Sequence, residues 1–174
     1  MGTDRLELRP GERARYFAPT AICAYLAVLC VALVATAPFL RTMPGAGAVT
    51  AVGVLGAVVS GAIGVGLYRA QQRDRRFAVI MTDRGDGPNF DAVRAAALAA
   101  GWQVTAERPP SRLDARTPGT MLLAGERVEV RFEGDRVRVA SICDPDTGFS
   151  LPGRRRCAAH RDLVRRAVAG DRPG

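Results

Sequence analysis

Residues 16–40 read YFAPTAICAYLAVLCVALVATAPFL, and residues 46–68 read AGAVTAVGVLGAVVSGAIGVGLY. Neither stretch carries a charged side chain. A helix needs about 20 apolar residues to cross roughly 30 Å of hydrocarbon, so runs of 25 and 23 residues are both long enough. A buried core helix rarely stays uncharged over such a length. The expectation is therefore two transmembrane helices. Pro19 falls in the first turn of the first and Pro38 in its last turn, where proline disturbs a helix least. Tyr16, Phe17 and Tyr68 lie at interfacial depth.

The connection, LRTMPGAG over residues 40–47, is short and turn-forming, so the spans read as an antiparallel hairpin. Arg5, Arg9, Arg13 and Arg15 precede the first span, and Arg69, Arg73, Arg75 and Arg76 follow the second. Only Arg41 lies between them. The positive-inside rule then places both termini in the cytoplasm. Ala35-Thr36-Ala37 resembles a signal-peptide cleavage site, but the apolar region exceeds the usual length and Pro38 would become the first mature residue. An uncleaved span is expected.

Working outward, residues 1–15 form a cytoplasmic N-terminal segment and 41–45 a short extracytoplasmic loop. Residues 69–76 form a basic juxtamembrane segment, 77–170 a cytoplasmic α/β domain and 171–174 a tail. The fold class is a membrane-anchored α/β protein: a two-helix transmembrane hairpin, then a small α+β domain. All 25 basic residues are arginine, which with the many alanines and glycines is the composition of a GC-rich bacterial genome. The expected location is the bacterial plasma membrane. Much of the formal net charge of +8 sits at the membrane edges, which is a weak argument for nucleic acid as a partner.

The second span places Gly53, Gly56, Ala57, Ser60, Gly61 and Gly64 on rows spaced by four, where another helix backbone can approach closely. That partner is either the chain's own first span or a second protein, another copy included. No acid, histidine or lysine lies in either span, so nothing points to ion or proton transport. Cys23 and Cys30 share a face of the first helix. Arg69, Arg73, Arg75 and Arg76 can meet anionic headgroups at the membrane surface.

In the soluble part, Phe77–Met81 is an unbroken apolar run, expected as a strand buried on both faces. RGDGP over 84–88 is a loop and Asn89 a candidate N-cap, with Asp91 in the first helical turn. Phe90, Val93, Ala97 and Leu98 recur at helical spacing and Gly101 is a C′ stop. Trp102–Ala106 is a second strand, expected to run parallel to the first in a right-handed β-α-β unit. Glu107–Gly119 is a polar, proline-rich loop. Three strands follow: Thr120–Ala124, Glu126–Phe132 and Arg136–Ile142, the last two joined by a turn at Glu133-Gly134-Asp135. Arg154–Ala169 is helical, with Cys157, His160, Leu163, Val164, Ala167 and Val168 on one face. The order is β-α-β, a three-stranded meander and a last helix, with both helices on one side of a five-stranded mixed sheet.

The stretch CDPDTGFSLPGRRRCAAH over 143–160 holds two cysteines and the one histidine. Cys143, Cys157 and His160 supply three zinc ligands, with Asp144 a fourth, but the spacing matches no standard finger. Outside the cytoplasm the two cysteines would be disulfide candidates. The preferred reading places Cys157 and His160 on the buried face of the last helix. Arg154, Arg155, Arg161, Arg165 and Arg166 are candidate contacts for an anion or a partner. TDRGDGPN over 82–89 has only a fragment of a phosphate-binding glycine pattern, and Asp83 and Asp86 would repel a phosphate. Asp83, Asp86 and Asp144 are the carboxylates that a sheet edge could bring together. No catalytic residues, metal or cofactor are assigned. The expected role is a non-enzymatic accessory or scaffolding subunit of a membrane complex, partnered by membrane lipid and by a membrane protein or a second copy. The alternative is a membrane-tethered sensor or binder of an anionic ligand, such as a nucleotide, nucleic acid or lipid headgroup, and a third reading is an orphan hydrolase.

Overall fold

A computed structural model describes residues 5–40, 45–119, 125–147 and 154–170, apart from the side chains of Ala37, Leu40, Thr147 and Arg154–Arg156. The expected strand Thr120–Ala124, the inter-helix residue Arg41, and the side chains of Arg154 and Arg155 lie outside the described residues. The chain divides into two compact units. Phe17–Gln71 is one, and the described residues on either side of it together form the other.

The first unit holds most of two long helices, α1 (Pro10–Thr36) and α2 (Ala46–Asp74). Both are long and apolar enough to cross a membrane. Their large apolar side chains point outward, with Tyr25, Val28, Val52, Leu55 and Val58 all exposed. In water such a surface would aggregate. The seam between the helices is built on glycine. A Cβ at Gly53 would lie 2.7 Å from Val34 Cγ2, and one at Gly56 would lie 2.7 Å from Cys30 Sγ. One at Gly64 would lie 3.2 Å from Cys23 Cβ. Rising positions on α2 thus meet falling positions on α1, as an antiparallel hairpin requires. Gly53, Gly56 and Gly64 face the chain's own first helix, and Cys23 and Cys30 fill the seam opposite them.

The second unit is built on an antiparallel five-stranded sheet. Its strands are β1 (Ala78–Met81), β2 (Gln103–Arg108), β3 (Arg112–Arg116), β4 (Glu126–Glu133) and β5 (Arg136–Cys143), in the spatial order β1-β5-β4-β3-β2. Helices α3 (Asp86–Ala99) and α4 (Arg154–Ala169) complete it. Helix α3 ends as the sequence indicated, with Gly101 at φ 75° and Trp102 N–H bonded to the Ala97 carbonyl at 2.9 Å.

Four expectations are corrected. The sheet is antiparallel throughout, not mixed. The strands on either side of α3, β1 and β2, point the same way but occupy opposite edges, with the other three strands between them. The segment read as a loop over 107–119 contains β3, which pairs with both β2 and β4. The meander is therefore four strands long. Strand β1 is an edge strand half-buried on one face and exposed on the other, with Val79 and Met81 exposed by 50% and 62%. Finally, α3 begins at Asp86 after Gly85, so Asn89 lies inside the helix rather than capping it. Its buried amide instead donates to the Arg84 carbonyl at 2.9 Å and closes the β1–α3 loop.

The core lies between the sheet and the two helices. It contains Phe90, Val93, Ala97, Trp102, Leu113, Ala115, Val128, Val130, Phe132, Val137, Val139, Val164 and Val168. A bulge between Val104 and Ala106 turns the rest of β2 over, so Val104 packs on the core while Ala106 pairs with Asp114 on the other face.

Gly56→Leu should force the two long helices apart, at a cost of about 1–3 kcal/mol for overpacking. Gly66→Leu, where an added Cβ meets nothing within 4 Å, should be silent. Titrating the purified protein with a denaturing detergent and following helicity tests this. Equal midpoints for the two variants would contradict the seam.

Candidate functional site

Strand β4 carries two buried carboxylates, one on each face of the sheet. Glu126 is 0% exposed and Glu129 1% exposed. Val128, Val130 and Phe132 face the helices. By the two-residue period of a strand, Glu126 shares their face, and Arg127, Glu129 and Arg131 occupy the opposite one.

On the helix face, Glu126 Oε2 lies 2.8 Å from His160 Nδ1 and accepts the Ser141 hydroxyl at 2.9 Å. Ser141 Oγ is itself 3.2 Å from His160 Nδ1. The Cys157 thiol donates to the Ser141 carbonyl at 3.3 Å, and its sulfur lies 3.9 Å from Glu126 Oε2. Trp102 meets the His160 ring edge-on at 5.1 Å between centroids. Serine, histidine and glutamate therefore converge, but not as a hydrolytic triad. There the nucleophile and the acid bond to different ring nitrogens, so that histidine passes a proton between them. Here both approach Nδ1, and Ser141 is fully buried. This arrangement fixes helix α4 against strands β4 and β5. Burial, and then the charge of Glu126, pushes the Cys157 thiol up to about 12, so it stays protonated and unreactive.

Of the sequence candidates, Cys157 and His160 thus meet at one carboxylate, with Cys143 buried on the neighbouring strand. All four cysteines are free thiols. Among the described residues no group of three or more histidine, cysteine, aspartate or glutamate side chains is arranged to hold a metal ion. The aspartates are not brought together. Asp86 accepts the Gly134 N–H at 2.7 Å, at the turn between β4 and β5. Asp144, at the other end of β5, pairs with Arg116 at 3.0 Å. On α4, Arg165 pairs with Asp162 at 3.1 Å and Arg166 is exposed.

The opposite face carries an arginine–carboxylate lattice that sequence reasoning missed. Glu129 receives Arg131 Nε at 2.7 Å and Arg112 Nη2 at 3.2 Å, and Arg112 also meets Asp114 at 2.9 Å. Burial works against the charge of Arg112, but the bond to Asp114 and the charges of Glu129 and Asp114 outweigh it and raise its pKa. Arg131 also stacks over the Phe77 ring at 4.6 Å.

The N-terminal segment is laid onto this unit. Leu6, 0% exposed, donates its N–H to the Arg75 carbonyl at 2.9 Å, and the Arg75 guanidinium returns two bonds to the Leu6 carbonyl at 3.2 and 2.9 Å. Arg5 bridges to Arg76, Glu12 pairs with Arg127 at 3.1 Å and Arg15 with Asp146 at 3.2 Å. Arg75 is thereby engaged within the domain, whereas Arg69, Arg73 and Arg76 stay exposed. Between residues 7–9 and the strands lies a cleft of about 430 Å³ lined by both charge signs, including Arg9, Arg108, Arg112, Asp114 and Glu129.

One signal for the buried cluster was present in the sequence. Glu126 and Ser141 fall on the inward parity of their strands, and a carboxylate there needs partners. The docking of residues 5–16 left no such signal. No protein-family model matches the chain, and neither a curated protein nor a solved structure does.

Glu126→Ala should cost about 2–4 kcal/mol, because it strips the buried partners of His160 and Ser141. Glu126→Ala and His160→Ala together should fall short of additivity by about 0.5–3 kcal/mol in a denaturant double-mutant cycle. Full additivity would remove the link.

Cys157 also sets an alkaline limit. The folded thiol holds its proton to about 12 and an unfolded one to about 9.0, so its contribution is complete below pH 9 and fades as pH rises towards 12. Stability should fall between pH 8 and pH 10 by more in the wild type than in Cys157→Ala. Equal losses would argue against it.

Proposed function

We propose that this is a two-span protein of a bacterial plasma membrane, with both termini in the cytoplasm, acting as an accessory or scaffolding subunit rather than as an enzyme. One observation carries the reading. Residues 5–16, which precede the hairpin, and the described residues of 72–170, which follow it, fold into a single unit held by Leu6, Glu12 and Arg15. That the two flanks pack as one unit supports placing them on the same side of a membrane spanned by the hairpin. The arginines concentrated on those flanks favour the cytoplasmic side. The outward apolar surface of α1 and α2 suits lipid. Among the described residues, the edge strands β1 and β2 each leave one side without a neighbouring strand in the sheet, which suits binding another chain. Three of the small residues on α2 already serve the chain's own hairpin, which favours partner binding through the domain over self-association through that row.

The cleft beneath residues 7–9 favours a second reading, a membrane-tethered binder of an anionic ligand. The guanidinium groups of Arg9 and Arg108 line it without an ion pair among the described residues.

Two measurements test the proposal. Phe39→Cys, in a residue 87% exposed in the short 3-10 turn Ala37–Leu40 that follows α1, should react with a membrane-impermeant maleimide in intact cells. Arg166→Cys should react only after lysis. The reverse pattern would overturn the topology. The tagged protein, extracted in mild detergent, should also elute with a larger complex. Elution as a lone monomer, with no partner by mass spectrometry, would overturn the subunit role.

A further inference from the structure

The hairpin unit contains a groove that its own packing does not fill. It has a volume of about 420 Å³ and runs between α1 and α2, lined by Thr20 and Ala24 on one side and by Ser60, Gly61, Gly64, Val65, Tyr68 and Arg69 on the other. Gly61 opens it, since an added Cβ there would meet nothing within 4 Å, whereas Gly64 is closed by Cys23. The lining changes character along its length. At one end stand Arg69, Tyr68 and Thr20, whose hydroxyl donates to Gln71 at 2.7 Å. Arg69 is exposed and has no carboxylate partner among the described residues. At the other end the lining is small or apolar, with the Ser60 hydroxyl its one polar side chain among the described residues. From Arg69 to Ser60 is about 13 Å along a helix, at 1.5 Å per residue.

We propose that this groove binds an anionic phospholipid, with its phosphate on Arg69 and an acyl chain lying along Val65 and Gly61 towards Ser60. The inference rests on the membrane reading above, under which Tyr68 and Arg69 stand at headgroup depth and Ser60 stands in hydrocarbon. Charge and shape select the occupant. The mouth offers an uncompensated guanidinium to a phosphate, as basic sites between membrane helices do. A partner helix is the rival, but a helix 10 Å across fills roughly 400 Å³ per turn, so the groove has room for only about one turn of it. The close-approach row that such a helix would need is also broken, because Gly53, Gly56 and Gly64 already face α1. A single hydrocarbon chain is narrow enough to enter.

The test uses the full chain purified in mild detergent and exposed to micelles doped with phosphatidylglycerol or with phosphatidylcholine, with bound lipid counted by native mass spectrometry. The wild type should retain phosphatidylglycerol in preference to phosphatidylcholine. Arg69→Ala should reduce retention about fivefold, the loss expected for one arginine at a membrane surface. Gly61→Leu, which fills the groove without striking α1, should abolish it, and Gly66→Leu should leave it unchanged. Equal retention of both lipids, or retention indifferent to Gly61→Leu, overturns the proposal. So does a wild-type dimer that Gly61→Leu dissolves, since the groove would then hold a second copy. Alkaline carbonate extraction of membranes from the same cells separates the two failures. A chain released by carbonate refutes the membrane reading itself, whereas a chain that stays in the membrane but binds no lipid refutes only this site.

Discussion

A carboxylate sealed from water is the constraint around which the sheet-bearing unit is arranged. Taking an ionised glutamate out of water costs several kcal/mol unless charge and hydrogen bonds replace the lost hydration. Glu126 is 0% exposed, and its replacements come from two distant places in the chain: Ser141 on the neighbouring strand and His160 on the last helix. The last helix is thus held by a polar link as well as by the apolar contacts of Val164 and Val168. Apolar contacts alone tolerate rotation or sliding of a helix. A hydrogen-bonded pair at one position does not, so Glu126 sets the register of α4 as well as contributing to its attachment.

Three residues later the same strand repeats the device on its other face. Glu129 is buried between Arg112 and Arg131, and its neighbour Arg127 reaches Glu12 of the N-terminal segment. A small antiparallel sheet usually leaves one face to solvent. Here part of that second face is covered by a lattice of arginines and acids, and residues 5–16 are tied to it. Strand β4 is therefore the element on which both ends of the chain converge, the C-terminal helix on one side and the N-terminal segment on the other. The arginine-only basic composition suits this, because a guanidinium can bridge two carboxylates at once, as Arg112 and Arg116 do.

Much of this was legible in the sequence, and the gaps have physical causes. The two apolar helices, the β4–β5 hairpin, the Gly101 stop and the last helix each have a strong local signal. Strand β3 does not. In RLDAR only Leu113 and Ala115 face the core, and the arginines and aspartate that flank them belong to the charged lattice, so the segment looks like a surface loop. Strand β1 misled in the opposite sense. An all-apolar run normally means burial on both faces, yet Val79 and Met81 stand exposed at the edge of the sheet. The β-α-β order also pointed to a parallel pair. A local pattern cannot show that the meander's remaining strands would fill the space between β1 and β2.

The same distinction between local and long-range signal bears on the site. Spacing alone nominated Cys143, Cys157 and His160, and the fold brings two of them to a common carboxylate that no spacing rule contains. The carboxylate was visible only as a violation, an acid at an inward position of a core strand. Such violations are expected where a protein trades stability for specificity, and they locate polar networks better than ligand counts do in a chain with one histidine. What the network does follows from its geometry. Because serine and glutamate share one ring nitrogen, the cluster locks a helix in place rather than moving a proton. The proposed contacts with other molecules draw instead on groups that this cluster does not use, at the edges of the sheet, in the cleft lined by both charge signs and along the open side of the helical hairpin.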